Sequence, residues 1–255
     1  MAKIMTFTGG LGAQLISAAG YFHLQKRNEP VLADFSYFRG AYHEAQPGNR
    51  GEISHWKWEL DTYGLNFSDF VQRTTENGNP IWDGLEKAQL GFAGLADPDI
   101  QKKFPVPAEM QQERAKLFGE ETYACVHIRR GDYLNVASFL IDDDTFFRAI
   151  VKIRRLVKNI LVVSDTPLSE RLTAGLKALD AKVMTAIGGS PAAIHSLMRM
   201  SDIFIGSNSQ FSMTAAALRE PDTLVIYPSQ HDATMNSDAN TYLHSIREWQ
   251  VITRF

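Results

Sequence analysis

The sequence predicts an α/β fold in which two lobes, each built around a parallel sheet, face each other across a cleft. The chain opens as strand, glycine turn, helix and strand. After residue 122, strongly apolar strands alternate with helices, a pattern typical of a parallel sheet covered on both faces. The proline-bearing segment Ala96–Met110 lies between the two regions and is typical of a connection between domains. We therefore predict two Rossmann-like lobes, at residues 1–110 and 111–255.

The composition is that of an ordinary globular protein. The 255 residues are 44% hydrophobic, and 26 basic residues stand against 29 acidic ones, so nothing in the bulk charge favours nucleic acid or an anionic membrane. The single cysteine, Cys125, excludes an intramolecular disulfide and a thiolate metal cluster. No apolar run approaches the roughly 20 residues of a membrane span. We expect a cytoplasmic protein without a membrane anchor and without a nucleic-acid partner.

The N-terminal lobe begins with the strand "KIMTF", the turn "TGGLG", the helix "AQLISAAGYFHLQKRN" and the strand "PVLADF". Gly10, Gly12 and Asp34 imitate the dinucleotide fingerprint, in which glycines admit a pyrophosphate and an acid holds a ribose. Leu15 stands where the third glycine belongs. A nicotinamide-dependent oxidoreductase is therefore one alternative. From residue 52 to about 99 the pattern weakens, and we expect helices and irregular segments there.

The C-terminal lobe alternates strands and helices in a regular order. The strands are "TYACVHI", "NILVVSD", "KVMTA", "DIFIG" and "TLVIYP", and the helices between them are "DDTFFRAIVKIRRLV", "LSERLTAGLKAL", "PAAIHSLMRMS" and "QFSMTAAALRE". The later segment "SDANTYLHSIREW" predicts a helix able to pack back across the cleft.

Polar residues follow the predicted strands of the C-terminal lobe. Ligands of open parallel sheets bind beyond the carboxyl ends of the strands, so these residues are the candidates for a binding site. They are Arg129, Arg130 and Asp132 after the first strand, Ser164 and Asp165 after the second, and Ser207, Asn208 and Ser209 after the fourth.

The two adjacent arginines are expected to have different roles. Side chains alternate across a strand, so His127 and Arg129 point to one face, whereas Ile128 and Arg130 point to the other. Arg129 is the better candidate for an anionic ligand, because the guanidinium fork matches phosphate oxygens. Arg130 is expected to pair with Asp132 or another carboxylate. The alternative is that both arginines form only salt bridges.

The stretch "SNSQFS" lies at the predicted start of a helix, where unpaired N–H groups favour an anion. An ordinary helix cap is the alternative, but Arg129 at a neighbouring strand end favours a diphosphate site. Asp165 can accept a hydrogen bond from a ribose or a base, or form a turn before Thr166 and Pro167, and both interpretations stay open. His195 and His231 have no partner at metal-ligand spacing, so no metal site is predicted.

Four pieces in this order resemble the α1,2-fucosyltransferases of glycosyltransferase family eleven: "GGLGAQL", "HIRRGDYLN", "VVSDTP" and "SNSQFS". The resemblance implies a GT-B architecture with an acceptor-side N-terminal lobe and a C-terminal lobe that binds GDP-fucose. It also implies inverting transfer without a metal ion or other cofactor. The partners would be the GDP-sugar donor and a glycan acceptor whose galactose-type hydroxyl receives fucose in an α1,2 linkage.

The resemblance also implies roles for single residues. Arg129 would contact the donor phosphates and help GDP to leave, and His127 and Asp165 would lie near the nucleoside. The diphosphate would meet the C-terminal stretch at Ser207, Asn208, Ser209 and Ser212 and would face the glycine turn at Gly10 and Gly12. The candidate catalytic residues are Arg129 and Asp132, and Asp34 and Glu59 are further candidates for the general base.

Three departures from the family leave a second function open. The family usually has Asn where this chain has Ala13, and an aromatic pair where it has Met213 and Thr214. The glycine-aromatic-Gln-Ser stretch that is usual in the first lobe of the family is also missing, and "LGFAGL" is the nearest text. The alternative to an active transferase is a catalytically weak or inactive protein of the same fold that binds a GDP-sugar or a glycan.

Overall fold

The computed structural model describes residues 2–38, 57–72, 79–81, 85–135, 140–179, 183–220 and 223–227. Residue contacts divide the chain into two compact units, Met1–Pro105 and Val106–Phe255. Each unit contains its own parallel sheet. The boundary lies within the proline-bearing segment that the sequence marks as a connection.

The first unit has a three-stranded parallel sheet in the order β2-β1-β3. Its elements are β1 (Lys3–Thr6), α1 (Leu11–Lys26), β2 (Val31–Asp34), β3 (Asn79–Ile81), α2 (Leu85–Leu95) and α3 (Pro98–Gln101). The predicted βαβ opening is confirmed, but α1 begins at Leu11, so that Gly12 lies in its first turn rather than in the glycine turn. The turn needs glycine at position 9, where φ is +69°.

Helices α1 and α2 approach each other closely because α2 carries two glycines on the contact face. A Cβ on Gly91 would meet the side chain and backbone of Ile16, and a Cβ on Gly94 would meet the carbonyl of Ala19. The stretch "LGFAGL" is therefore a helix–helix contact.

The second unit is a doubly wound α/β domain with a five-stranded parallel sheet in the order β6-β5-β4-β7-β8. Its elements are α4 (Ala108–Phe118), β4 (Tyr123–Ile128), α5 (Asp143–Ile153), β5 (Asn159–Ser164), α6 (Glu170–Leu179), β6 (Val183–Ile187), α7 (Pro191–Met200), β7 (Ile203–Ile205), α8 (Gln210–Ala217) and β8 (Leu224–Ile226). All five predicted strands and the four helices between them are confirmed. The helix predicted in "SDANTYLHSIREW" lies outside the described residues.

Alternate residues of β4 face two different hydrophobic cores. Ala124, Val126 and Ile128 pack in the core that contains residues of α5 and α6. Tyr123 and Cys125 pack in the core that contains residues of α7 and α8. The chain winds from β4 outward through β5 and β6 and then returns to the other side of β4 with β7, so the strand order reverses between β4 and β7. In such sheets this reversal point is where ligands bind.

Candidate functional site

Two of the motifs predicted from the sequence meet at the reversal point. Arg129 directly follows β4, and Ser207 lies two residues after β7. The backbone N–H of Arg129 donates a hydrogen bond of 3.1 Å to Ser207 Oγ. The carboxyl ends of these neighbouring strands therefore bring the arginine and the serine-rich turn side by side.

The serine-rich turn leads directly into helix α8. Ser209 is the residue that caps this helix, and its Oγ accepts a hydrogen bond of 3.2 Å from the backbone N–H of Ser212. Ser207 and Asn208 precede the cap and, like Ser209, are buried. The first turn of a helix carries partial positive charge on its N–H groups, so this end of α8 favours an anion.

His127 supports this turn from within the domain. It is 4% exposed, and its Nδ1 lies within hydrogen-bond distance of Ser212 Oγ, at 2.6 Å. Ser212 Oγ accepts a hydrogen bond of 3.0 Å from the backbone N–H of Ser207. Burial, with a smaller contribution from the charge of Arg129, lowers the pKa of His127 to about 3. The imidazole is therefore neutral at pH 7. In the structure the side chains of His127 and Ser212 contact each other. Their contacts with the GDP-sugar stay predictions.

Arg129 lies partly exposed at the end of the sheet. Its guanidinium NH1 forms an ion pair of 2.6 Å with Asp165 Oδ2, and its side chain is 23% exposed. The guanidinium carbon lies 5.5 Å from the ring centre of Tyr133, whose hydroxyl donates a hydrogen bond of 3.2 Å to the carbonyl of Asn208. Tyr133 therefore joins the arginine to the serine-rich turn, a role that the sequence did not indicate.

Arg130 points to the opposite side of the strand, as alternation predicts. Its side chain is 8% exposed, forms an ion pair with Asp143 at the start of α5, and lies 5.6 Å from the ring centre of Phe146. Its carboxylate partner is thus Asp143. The side chain of Asp132 lies outside the described residues, so its catalytic role stays a prediction.

In the first unit, the glycine turn is held by Gln14. This fully buried side chain donates to the carbonyls of Gly9 and Lys57, at 2.8 and 2.7 Å, and accepts a hydrogen bond of 2.9 Å from the backbone N–H of Glu59. The buried glutamine thereby joins the residues before α1 to the segment that carries Glu59. Gly10, the residue before α1, has extended backbone angles.

The two described candidates for a general base differ in their surroundings. Burial raises the pKa of Glu59 to about 7, against the opposing hydrogen bond from the backbone N–H of Leu11. A carboxyl group with such a pKa can exchange a proton at neutral pH. Asp34, at the end of β2, instead accepts a hydrogen bond of 2.9 Å from the backbone N–H of Ser36, which is a turn-forming arrangement.

Within the residues that the structure describes, three or more His, Cys, Asp or Glu side chains do not gather anywhere in a group able to hold a metal ion. Within the same residues, every helix is too short or too polar to cross a bilayer.

A sequence model described as Glycosyl transferase family 11 matches residues 106–253, which is more than half of the chain. The chain belongs to glycosyl transferase family 11. This is a family of fucosyltransferases, so the resemblance read from the four motifs is confirmed. The match covers Arg129, Asp165 and the serine-rich turn. No curated protein matches the chain.

Solved structures similar to this family 11 chain include POFUT1 and a heptosyltransferase. POFUT1 in complex with GDP is 11% identical, with a TM-score of 0.50 over 89% of this chain and 98% of that one. The E. coli ADP-heptose lps heptosyltransferase II is 10% identical, with a TM-score of 0.52 over 99% of this chain and 90% of that one. At these identities the likeness concerns the fold, which is the predicted GT-B fold.

Proposed function

We propose that this family 11 protein is an inverting, metal-independent galactoside α1,2-fucosyltransferase whose donor is GDP-fucose. The observation that supports it best is the hydrogen bond from the backbone N–H of Arg129 to Ser207 Oγ, which places a residue with a partly exposed guanidinium beside the turn before α8, at the reversal point of the sheet. Guanidinium groups and helix N-terminal N–H groups are both suited to a diphosphate.

The proposed reaction breaks the bond between the fucose C1 and the β-phosphate oxygen, and the electron pair of this bond leaves with GDP. The acceptor hydroxyl oxygen forms the new bond from the opposite face of the sugar, and its proton passes to a base. Negative charge therefore grows on the β-phosphate during the reaction. Arg129 and the first turn of α8 are the groups that would stabilise this charge without a metal ion.

The choice of donor follows from the family and from the relatives. One structural neighbour was solved as POFUT1 in complex with GDP, so POFUT1 binds GDP. We carry this to the present chain as a proposal: the unit that contains Arg129 binds GDP-fucose, and the N-terminal lobe receives the glycan acceptor. Glu59, with its pKa near 7, is the described candidate best suited to take the acceptor proton. The cytoplasmic location is proposed on the sequence features alone.

The test is to incubate the protein with GDP-fucose and a panel of galactosides and to measure released GDP and fucosylated product. Product with an α1,2 link on at least one galactoside supports the proposal. GDP binding without turnover on any galactoside would instead favour the GDP-sugar or glycan-binding alternative. A thermal-shift comparison adds a control, since a ligand at 100 times its Kd stabilises by about 2.7 kcal/mol. Stabilisation by NAD but not by GDP would favour the oxidoreductase alternative.

A further inference from the structure

We propose that Asp165 is a positioning residue, which orients the guanidinium of Arg129 toward the donor diphosphate and does not bind the nucleoside. The inference rests on the proposed function, because it assumes that Arg129 faces GDP. It differs from what the family resemblance implies for Asp165, which is a place near the nucleoside.

Both oxygens of the Asp165 carboxylate are already engaged by the arginine motif. Oδ2 lies 2.6 Å from NH1 of Arg129, and Oδ1 accepts a hydrogen bond of 2.8 Å from the backbone N–H of Arg130. Arg129 and Asp165 directly follow two adjacent parallel strands. The last pair of residues in the register of β4 and β5 is Ile128 with Ser164, the residues directly before them. The position of the carboxylate relative to Arg129 is thus fixed by the sheet.

The glycine of the motif makes room for this contact. Gly131 has a φ of +32°, and a Cβ at this position would lie 2.5 Å from Asp165 Oδ2. Real Cβ atoms do not approach an oxygen so closely, so any other residue would displace the carboxylate. Three successive residues of the motif therefore contact or make room for the Asp165 carboxylate: Arg129 pairs with it, the N–H of Arg130 donates to it, and Gly131 leaves space for it.

The contact has a consequence for the arginine. A guanidinium is planar and rigid, so fixing NH1 against a carboxylate also fixes the plane in which its remaining nitrogens lie. An arginine that is already oriented loses less conformational entropy when the diphosphate binds and when charge develops on the departing GDP. Asp165 would thus act through Arg129. Its loss should weaken binding of the diphosphate and leave binding of the nucleoside unchanged.

The experiment is a double-mutant cycle with Arg129→Ala and Asp165→Ala, in which affinity for GDP and for guanosine is measured for each protein. Alone, Asp165→Ala is expected to weaken GDP binding by about tenfold and to lower kcat by about 10- to 100-fold, with guanosine affinity unchanged. In the Arg129→Ala background, the same substitution is expected to change GDP affinity by less than about twofold. Asp165→Asn serves as a second variant if the alanine protein does not fold, because it keeps an oxygen for the N–H of Arg130.

Asp143→Ala is the matched control, since Asp143 is the carboxylate partner of the other arginine. It should lower the melting temperature but leave the difference between GDP and guanosine affinity intact. Equal losses of GDP and guanosine affinity in both backgrounds would show that Asp165 binds the nucleoside, and would overturn the inference while the proposed function stands. Failure of the wild-type protein to bind GDP would refute the proposed function, and the inference with it.

Discussion

The ion pair between Arg130 and Asp143 leads to a prediction about stability. The Arg130 side chain is 8% exposed and that of Asp143 is 26% exposed, so Arg130→Ala leaves a partly buried carboxylate without its cation. It also removes the hydrogen bond of 3.0 Å from Arg130 to the carbonyl of Arg129. We expect the free energy of unfolding to fall by about 3 kcal/mol, the lower end of the range for a broken buried pair.

The size of the effect makes it measurable by calorimetry. For a unit of this size, about 3 kcal/mol corresponds to a melting temperature roughly 6 to 12 °C lower. The exposed Arg148 supplies the control, because it lies on α5, the helix that begins with Asp143, but faces solvent, so that Arg148→Ala should change stability by less than about 0.5 kcal/mol. GDP affinity of the Arg130→Ala protein should stay within a few-fold of wild type at a temperature where it is folded.

A compensating pair tests the cause of the loss. Replacing both charges, with Arg130→Met and Asp143→Leu, should recover part of the stability, because no unpaired charge then remains. Loss of GDP binding in the Arg130→Ala protein with an unchanged melting temperature would refute a purely structural role for Arg130. That result would mean that Arg130, rather than Arg129, faces the donor.

Three further predictions concern other parts of the molecule. In the folded protein the pKa of Glu59 is about 7, above its ordinary value, so its contribution to stability is present below pH 4.5 and is lost as pH rises through 7. Relative to Glu59→Gln, the free energy of unfolding of the wild type should fall by an amount on the order of 2 kcal/mol between pH 4.5 and 8 in denaturant titrations, after allowance for partial solvent screening. Gly91→Ala should destabilise the first unit by about 2 kcal/mol or more, because its Cβ would lie 2.7 Å from the carbonyl oxygen of Ile16; an unchanged urea midpoint would contradict this. Transfer activity should be unaffected by EDTA, and activity lost with EDTA and restored by manganese would disprove metal independence.

Much of the second unit could be predicted from the sequence because its strands are short, apolar and regularly separated by helices. The first unit was harder to predict. Helix α2 contains Gly91 and Gly94, which disfavour a helix and are tolerated only because α1 packs against them. Strand β3 is three residues long and contains Pro80, so it carries no periodic signal. Helix α4 begins at Ala108, within the proline-bearing segment whose composition indicates a connection between domains.

For the candidate site, local geometry was predictable and long-range partners were not. Strand alternation depends only on neighbouring residues, and the two side chains indeed pair with different carboxylates, Asp165 for Arg129 and Asp143 for Arg130. Both arginines thus form salt bridges, and the contact of Arg129 with the donor stays a prediction. Asp143 was not predicted as a partner, since a run of three aspartates before a helix is interpreted first as capping. The environment of Asp165 depends on the pairing of β4 with β5, so the sequence left its two interpretations equal.

The most direct test of the account is the affinity of GDP for the Arg129→Ala protein, measured by titration calorimetry beside wild type, with guanosine as the reference ligand. If Arg129 and the N-terminus of α8 hold the diphosphate, the substitution removes a charge-assisted contact worth about 1.5 to 3 kcal/mol. GDP binding should then weaken by roughly 10- to 150-fold, while guanosine affinity and the fold are preserved. Wild-type affinity for GDP in the Arg129→Ala protein would contradict the central claim.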